Sequence, residues 1–214
     1  MLVLGIDTST PAVSVALVRL DAETPAETLA EHVVVDGKRH GELLAMGIAT
    51  VLSRAGVDRR DLGAVAVGLG PGPFTGLRVG IVTAATLADA LAIPAYGVCS
   101  LDALGTGARV AVTDARRREI YWARYDASGQ RVEGPAVSAP ADVCALWQGF
   151  PVVGDGALVH AEALAGLDLV PEPRYPSAAR IAGRAVAAGS TVLTPMYLRR
   201  PDAVAPGPPK RVSA

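Results

Sequence analysis

Residues 68–78 read GLGPGPFTGLR, and the organisation of the chain is best worked out from this segment. It follows a short apolar run at 64–67 and precedes a long apolar stretch with helical spacing, so the pattern predicts a strand, a Gly-rich turn and a helix. The glycines allow close approach of other groups, and the two prolines fix φ, so a stiff turn is expected. The same outline is typical of phosphate-binding loops. However, the segment has neither the Lys-Ser/Thr pair of a P-loop nor the spacing of a dinucleotide fingerprint, so the glycines alone do not identify its chemistry.

The composition limits the classes of protein that need to be considered. The chain has 214 residues, of which 50% are apolar and 4% aromatic, so it can form one large or two small domains with a core of mainly Ala, Val and Leu. A formal charge of −1 argues against strong autonomous nucleic-acid binding. The cysteines Cys99 and Cys144 lie far apart in apolar contexts and are expected to be buried thiols of a reducing compartment.

Neither a secretory signal nor a membrane span is expected. The N-terminus lacks a basic region, and Asp7 interrupts the first apolar run. The longest apolar stretch, 79–98, is divided by Asp89 and Pro94, which favours a buried helix followed by a strand. We therefore expect a cytoplasmic protein without membrane contact.

Periodicity predicts an α/β protein with two related halves, each a mixed sheet covered by helices. In the first half we expect strands at 2–6, 13–19, 28–35, 64–67 and 95–98, with helices at 41–55, 75–91 and 100–104. In the second half we expect strands at 109–113, 120–125, 131–137 and 151–153, with helices at 141–147, 157–165 and 177–188. Each half begins with a strand that ends in aspartate, Asp7 or Asp114, which hints at duplication. The expected division is 1–105, 106–200 and a Pro-rich tail at 201–214.

Several segments together resemble one family, the TsaB (YeaZ-like) proteins. In chain order they are GIDTST at 5–10, the 68–78 segment, GVCSL at 97–101, DARR at 114–117, EIYWA at 119–123, GDG at 154–156 and PMYLR at 195–199. The family takes part in bacterial synthesis of N6-threonylcarbamoyladenosine (t6A) at adenosine 37 of tRNAs that read ANN codons. Pro73 stands where the family commonly has Ser, and Arg118 where Gly is common, which changes a possible helix cap and a tight turn.

The resemblance implies the ASKHA (actin/sugar-kinase/Hsp70-like) fold with two related halves. It also implies a heterodimer with TsaD, the catalytic paralogue, and assembly with the TsaE ATPase, so that tRNA is met through the complex. In that assembly a TsaB-like subunit is a required, non-catalytic scaffold, while ATP and metal are expected on the partner subunits. A homodimer is possible when the chain is isolated.

The ASKHA analogy places two phosphate loops and an adenosine turn in this chain. The residues at these positions are Asp7, Thr8 and Ser9, then Asp114, then Gly154, Asp155 and Gly156. No glycine follows Ser9, and arginines follow Asp114 where an active ATPase prefers small residues. The site is therefore interpreted as a vestigial nucleotide pocket. The alternative is an independent nucleotide-dependent phosphotransferase or ATPase, in which Asp7 and Asp114 organise Mg²⁺.

Metal-dependent and nucleophilic catalysis have little support in the sequence. The three histidines, His32, His40 and His160, are scattered, and none has a second histidine four residues away. Cys99 and Ser100 have no base nearby in sequence. Neither a metal site nor metallopeptidase activity is expected.

Two helices predict a protein interface because each has a second weakly charged face. The residues concerned are Leu43, Met46, Gly47 and Thr50 in the first helix and Gly76, Gly80, Thr83 and Leu87 in the second. Both faces could be covered within the domain, but the resemblance favours a helix bundle with TsaD or with a second copy. The arginines at 116–118, 59–60 and 199–200 are either surface charge or contacts to tRNA in the assembled complex, with weak, salt-sensitive binding at most by the isolated chain.

Overall fold

The computed structural model describes residues 1–199 and places ten strands in two five-stranded sheets. The first sheet has the order β3-β2-β1-β4-β5, in which β1, β2 and β3 are antiparallel while β4 and β5 run parallel to β1. Its strands are β1 Leu2–Asp7, β2 Ala12–Arg19, β3 Glu27–Val35, β4 Leu62–Gly68 and β5 Ala95–Val98.

The second sheet repeats this topology. Its order is β10-β9-β6-β7-β8, with β6, β7 and β8 antiparallel and β9 and β10 parallel to β6. Its strands are β6 Arg109–Asp114, β7 Ile120–Tyr125, β8 Arg131–Ser138, β9 Pro151–Val153 and β10 Asp168–Val170. The α/β fold with two related halves is thus confirmed, since each strand of one sheet has a counterpart in the other.

Helices cover both faces of the first sheet. Helices α1 (His40–Ala55) and α2 (Phe74–Leu91) pack side by side on one face, where Leu44, Leu77 and Ile81 join the apolar core. On the second sheet lie the short helices α3 (Pro140–Val143) and α4 (Asp155–Val159). Helix α5 (Ala178–Ala188) returns to the opposite face of the first sheet and packs on β1, β2 and β4. Residues 1–105 and 106–177 thus each carry one sheet, while α5 crosses from the second back to the first.

By length and composition alone, α2 could span a membrane. In the structure its inner face, which includes Leu77, Ala84 and Ala88, is buried against the first sheet. α2 is therefore a core helix of the first lobe, as Asp89 and Pro94 within the stretch 79–98 indicate.

The structure differs from the sequence prediction between residues 155 and 170. The predicted helix at 157–165 is replaced by α4, which ends at Val159, followed by turns and by β10. β10 pairs in parallel with the neighbouring β9, so the helix must end early for the chain to return to the sheet edge. Three residues are too few for a recognisable alternating pattern, which is why β10 was missed. Arg200 and the Pro-rich tail at 201–214 lie outside the described residues.

Candidate functional site

The carboxyl ends of β1, β4 and β5 meet at one edge of the first sheet because the three strands are parallel neighbours. Asp7, at the end of β1, is 1% exposed. Its Oδ2 accepts a hydrogen bond from Ser100 Oγ at 2.6 Å, and its Oδ1 accepts from Ser9 N at 3.0 Å and Ser9 Oγ at 2.7 Å. Burial raises the pKa of Asp7, and the bonds from Ser100 and Ser9 counteract that rise. Asp7 is therefore a structural carboxyl inside the lobe, with its oxygens turned to its own chain.

Glycines every four residues bring the Gly-rich turn and α2 against the turn that follows β1. A Cβ on Gly68 would overlap the Asp7 carboxylate, and one on Gly76 would lie 2.7 Å from the Thr8 carbonyl oxygen. Thr8 Oγ1 donates to the Gly76 carbonyl at 2.8 Å and accepts from Gly80 N at 3.1 Å. The chain's own helix thus fills the space beside the turn where the ASKHA analogy places the first phosphate loop.

This packing corrects part of the predicted interface. Gly76 and Gly80 face the turn after β1, and a Cβ on Gly47 would lie 3.0 Å from Val15 in β2. Leu43 is also buried, at 8% exposure. The three glycines serve the interior of the lobe because they allow close approach within the chain, and Leu43 belongs to the apolar core. The remaining four are accessible, Met46 being exposed and Thr50, Thr83 and Leu87 half-buried.

The outer surface of the two helices is a separate feature, which we call the α1–α2 face. Met46 and Val82 are 61% and 60% exposed. The face consists of the exposed, uncharged residues Ala45, Met46, Ala49, Val82, Ala85 and Thr86, and the exposed charged residues Glu42 and Arg78 lie one turn before it on the two helices. It is an uncharged surface on two adjacent helices, and no described element of the chain covers it.

In the second lobe, the ends of the parallel strands β6 and β9 bring Asp114 and the 154–156 turn together. Asp114 Oδ1 lies 3.0 Å from His160 Nε2. Asp155 is 8% exposed, and its Oδ1 has no hydrogen-bond partner in the described structure. Burial raises the pKa of Asp155 to about 6 although backbone N–H groups, first that of Asp114, oppose the rise, and the charge of Asp114 adds to it. A buried carboxyl oxygen without a donor is unusual in a folded protein and needs an explanation.

The two glycines of this turn have a packing role. Gly154 has a φ of 114°, and a Cβ there would overlap the Val112 carbonyl oxygen of β6. A Cβ on Gly156 would lie 2.7 Å from the carbonyl carbon of Thr113. Only glycine therefore allows α4 to begin directly against β6, and this placement aims Asp155 at the space between the lobes.

A cleft of about 1010 Å³ lies between the lobes. Of the predicted pocket residues, Thr8, Asp114 and Asp155 line it, whereas Asp7, Ser9, Gly154 and Gly156 do not. The predicted set is thus brought together only in part, and Asp7 does not share the cleft with Asp114. Among residues 1–199, no three His, Cys, Asp or Glu side chains form a group that could hold a metal ion.

The segment 190–199, which we call the strap, crosses back over the first lobe to the edge of the cleft. Ser190 pairs with Gly97 at the edge of the sheet, and Met196 N donates to the Leu69 carbonyl at 2.8 Å. At its end, Arg199 donates to the Ala115 carbonyl at 2.8 Å and forms an ion pair with Glu119. The strap therefore joins the Gly-rich turn of one lobe to the β6–β7 turn of the other.

The strap also completes an aromatic cluster at the start of α2. The ring of Tyr197 stacks on Phe74 with centroids 4.7 Å apart, and the Arg78 guanidinium lies 3.7 Å from the Phe74 centroid. Arg78 Nε donates to Tyr197 Oη at 3.0 Å. The sequence did not predict this cluster, nor did it predict that His160 and Ser100 contact the two aspartates. The parallel strand ends could have indicated Ser100, but no local pattern places Tyr197 beside Phe74.

Comparison with known proteins gives one family and several relatives. Residues 31–183 match the family model described as TsaD, tRNA N6-adenosine threonylcarbamoyltransferase. An uncharacterised protein of Mycobacterium tuberculosis is 49% identical over 205 residues, which is 94% of this chain and 93% of that protein. An uncharacterised Mycobacterium leprae protein is 48% identical, and the match spans only 56% of its length.

Relatives with a functional name are more distant. The tRNA threonylcarbamoyladenosine biosynthesis protein TsaB of Escherichia coli is 37% identical over 133 residues, which cover 58% of this chain and 55% of TsaB. Among solved structures, a Pseudomonas aeruginosa protein described as similar to peptidase YEAZ superposes with a TM-score of 0.76 at 30% identity. That superposition covers 92% of this chain and 99% of the other.

Proposed function

The chain belongs to the TsaD family and is TsaB/YeaZ-like within it, and from this premise we propose that it is a non-catalytic subunit of the tRNA t6A biosynthesis machinery. In this proposal it docks on a TsaD-like partner and activates it for transfer of a threonylcarbamoyl group to adenosine in tRNA. A TsaE-like ATPase joins the complex, ATP and metal bind the partner subunits, and the assembly works in the cytoplasm.

The α1–α2 face is the observation that carries the proposal. Met46 and Val82 are each more than half exposed, and the residues between them are small and uncharged. Depletion of charge with exposed apolar side chains is typical of the centre of a protein interface. The inner faces of α1 and α2 are fixed by the core of the first sheet, so the two helices present this surface rigidly to a partner.

The non-catalytic role is supported by the contacts of the residues that the ASKHA analogy places in the phosphate loops. Asp7 is enclosed by Ser9 and Ser100, and α2 packs against Thr8 where a phosphate would need open backbone donors. Among residues 1–199, the aspartates that line the cleft are Asp114 and Asp155, and Asp114 already contacts His160. A residual metal-assisted phosphotransferase would need both lobes to contribute a carboxylate, and the first lobe supplies none to the cleft.

The test is association with the TsaD-like protein of the same organism, measured by co-purification and size-exclusion chromatography. We expect Met46→Glu and Val82→Glu each to abolish the complex, because a desolvated glutamate at the centre of an apolar contact costs several kcal/mol. Leu146→Glu is the matched control, since Leu146 is 61% exposed on the second lobe and lies outside the face. Stable complexes of both variants would overturn the interface.

A tRNA-modification assay tests the role itself. A mixture of the TsaD-like protein, the TsaE-like protein, ATP, a threonylcarbamoyl donor and unmodified tRNA should form t6A only when this chain is added. Equal product without the chain would refute the required role. If Val82→Glu abolishes t6A formation and Leu146→Glu does not, the required role of the chain depends on the α1–α2 face.

A further inference from the structure

The cleft between the lobes is a separate feature from the partner interface, which does not account for it. Resting on the proposed function, we propose that it holds a single-stranded segment of the RNA substrate, with backbone phosphates on the β6–β7 turn and a nucleoside donor group on Asp155. The two lobes supply different parts of this site.

The β6–β7 turn presents three consecutive arginines at the cleft. Arg116, Arg117 and Arg118 have φ values of 59°, 53° and 63°, a left-handed conformation that side chains other than glycine adopt at a cost of about 1–3 kcal/mol each. The turn is held by the Ala115 N–H donating to the Glu119 carbonyl at 2.9 Å, and its three side chains line the cleft and are exposed. Lys38 lines the cleft from the first lobe. Clustered guanidinium groups of this kind suit several phosphates on one strand.

Three aromatic side chains, Phe74, Tyr121 and Tyr197, line the same cleft. Tyr121 is only 5% exposed and Phe74 already contacts Tyr197 and Arg78, so Tyr197, which is 36% exposed at the edge of the cleft, is the ring on which a base would stack. Contacts with Phe74 and Arg78 fix the Tyr197 ring in place. A basic groove combined with fixed aromatic rings is how proteins bind single-stranded nucleic acid, because bases stack on the rings while phosphates meet the cations.

Asp155 independently indicates that the ligand must carry a hydrogen-bond donor in addition to its phosphates. Asp155 lines the cleft, and its buried Oδ1 has no hydrogen-bond donor in the described structure. A ligand with only anionic acceptor groups, such as sulfate, leaves this oxygen unsatisfied and is repelled by it. A nucleotide strand offers amino, imino and ribose hydroxyl donors together with phosphates, which satisfies both parts of the site. The cleft volume of about 1010 Å³ is at the upper end for a small-molecule pocket of about 300–1,000 Å³, which favours more than one nucleotide.

The test is a salt titration of RNA binding by the complex of this chain with its TsaD-like partner. The probe is a fluorescently labelled, unmodified tRNA transcript, and the variant is Arg116→Gly with Arg118→Gly. Glycine adopts the left-handed φ of both positions without strain, so the turn should keep its shape. Each single-strand phosphate contact contributes a slope of about 0.7 in log K against log salt. We expect the slope to fall by about 1.4 and the affinity at 0.1 M salt to fall about 25-fold.

Two control variants make the result decisive. Arg116→Lys with Arg118→Lys keeps the charge and should keep the slope, and Arg59→Ala with Arg60→Ala removes two exposed arginines outside the cleft and should change nothing. An unchanged slope for the glycine variant in an intact complex overturns the RNA assignment but leaves the proposed function standing. If the wild-type proteins do not associate, the proposed function fails, and the same titration on this chain with a short unstructured RNA decides the cleft. AMP serves as a second probe. If the glycine variant loses AMP binding but keeps RNA binding, the ligand of the cleft is a free nucleotide and the proposal is overturned.

Discussion

Close packing of Gly80 against Thr8 makes a prediction that depends on the tertiary structure alone. Replacing a helix-interior glycine by alanine should stabilise an isolated helix by about 1 kcal/mol. At Gly80, however, the new Cβ would overlap Thr8 Oγ1 and displace the hydroxyl from its bond to Gly80 N. Overpacking costs about 1–3 kcal/mol and the lost bond about 0.5–1.5 kcal/mol. We therefore expect Gly80→Ala to lower the free energy of unfolding by roughly 1–3 kcal/mol.

The matched control is Gly183→Ala in α5. A Cβ at Gly183 meets only the Ala26 side chain, at 3.9 Å, which is ordinary van der Waals contact. The same chemical change is expected there to raise the free energy of unfolding by about 1 kcal/mol. The two variants should therefore differ in sign.

A double-mutant cycle identifies the cause. Thr8→Ala alone should cost about 1–2 kcal/mol because it removes the bonds to the Gly76 carbonyl and Gly80 N. It also removes the atom that the new Cβ would strike, and the Thr8 Cβ is 3.5 Å away. The double variant should then be no less stable than Thr8→Ala, which corresponds to a coupling of about 2 kcal/mol.

Urea unfolding followed by far-UV circular dichroism is the assay, since both tryptophans, Trp122 and Trp147, pack on the second sheet and would report that lobe alone. The reasoning is refuted if Gly80→Ala is as stable as the wild type, or if the effects of Thr8→Ala and Gly80→Ala simply add.

Two further predictions concern titratable groups. Because the pKa of Asp155 is raised to about 6, the native state binds its proton more tightly than the unfolded chain, and stability should fall as pH rises from about 4 to 6. Asp155→Asn should therefore be up to about 3 kcal/mol more stable than the wild type at pH 8 and equal to it near pH 4. Melting temperatures of both proteins across this pH range would check the prediction. A variant that is less stable than the wild type at pH 8 would contradict it. Burial raises the pKa of the Cys99 thiol to about 12, whereas Cys144 is half-buried. Iodoacetamide at pH 8 should thus label only Cys144 in the native protein, as mass spectrometry would show, and a labelled Cys99 would contradict the packing.

Most of the secondary structure could be predicted from local patterns. The alternation at β2 and β3, the apolar runs of β1 and β4, and the helical spacing of α1 and α2 lie in the sequence because each element must bury one face. Gly56 ends α1 in a left-handed conformation with φ of 64°, which glycine adopts without strain and which fits the predicted end of the helix at residue 55. The prediction was wrong at β10 and α4, where a short strand has no pattern of its own and pairing with β9 decides where the helix ends.

The candidate site was less predictable, because its residues come from both ends of the chain. The spacing of Gly76 and Gly80 indicated a close helix contact, but the sequence could not show that Thr8 makes it. Four of the eight predicted interface residues proved to be buried, Gly76 and Gly80 against Thr8, Gly47 against Val15 and Leu43 in the core, and the exposed surface consists of Met46, Val82 and their neighbours. Likewise, Asp155 looked like part of an adenosine turn, while only the structure shows its unpaired oxygen in the cleft.

The sequence by itself determined the family, the two-lobed α/β fold and the stiff Gly/Pro turn at 68–78, because motifs, periodicity and turn residues are properties of neighbouring positions. Only the tertiary structure decided what that turn does. Its glycines let α2 press on the turn after β1, and this contact encloses Asp7 and leaves the outer side of α2 uncovered. The physical reason is that burial and hydrogen-bond partners depend on residues far apart in the chain, such as Thr8 with Gly80 at 72 positions and Asp7 with Ser100 at 93, and no local pattern records their contact.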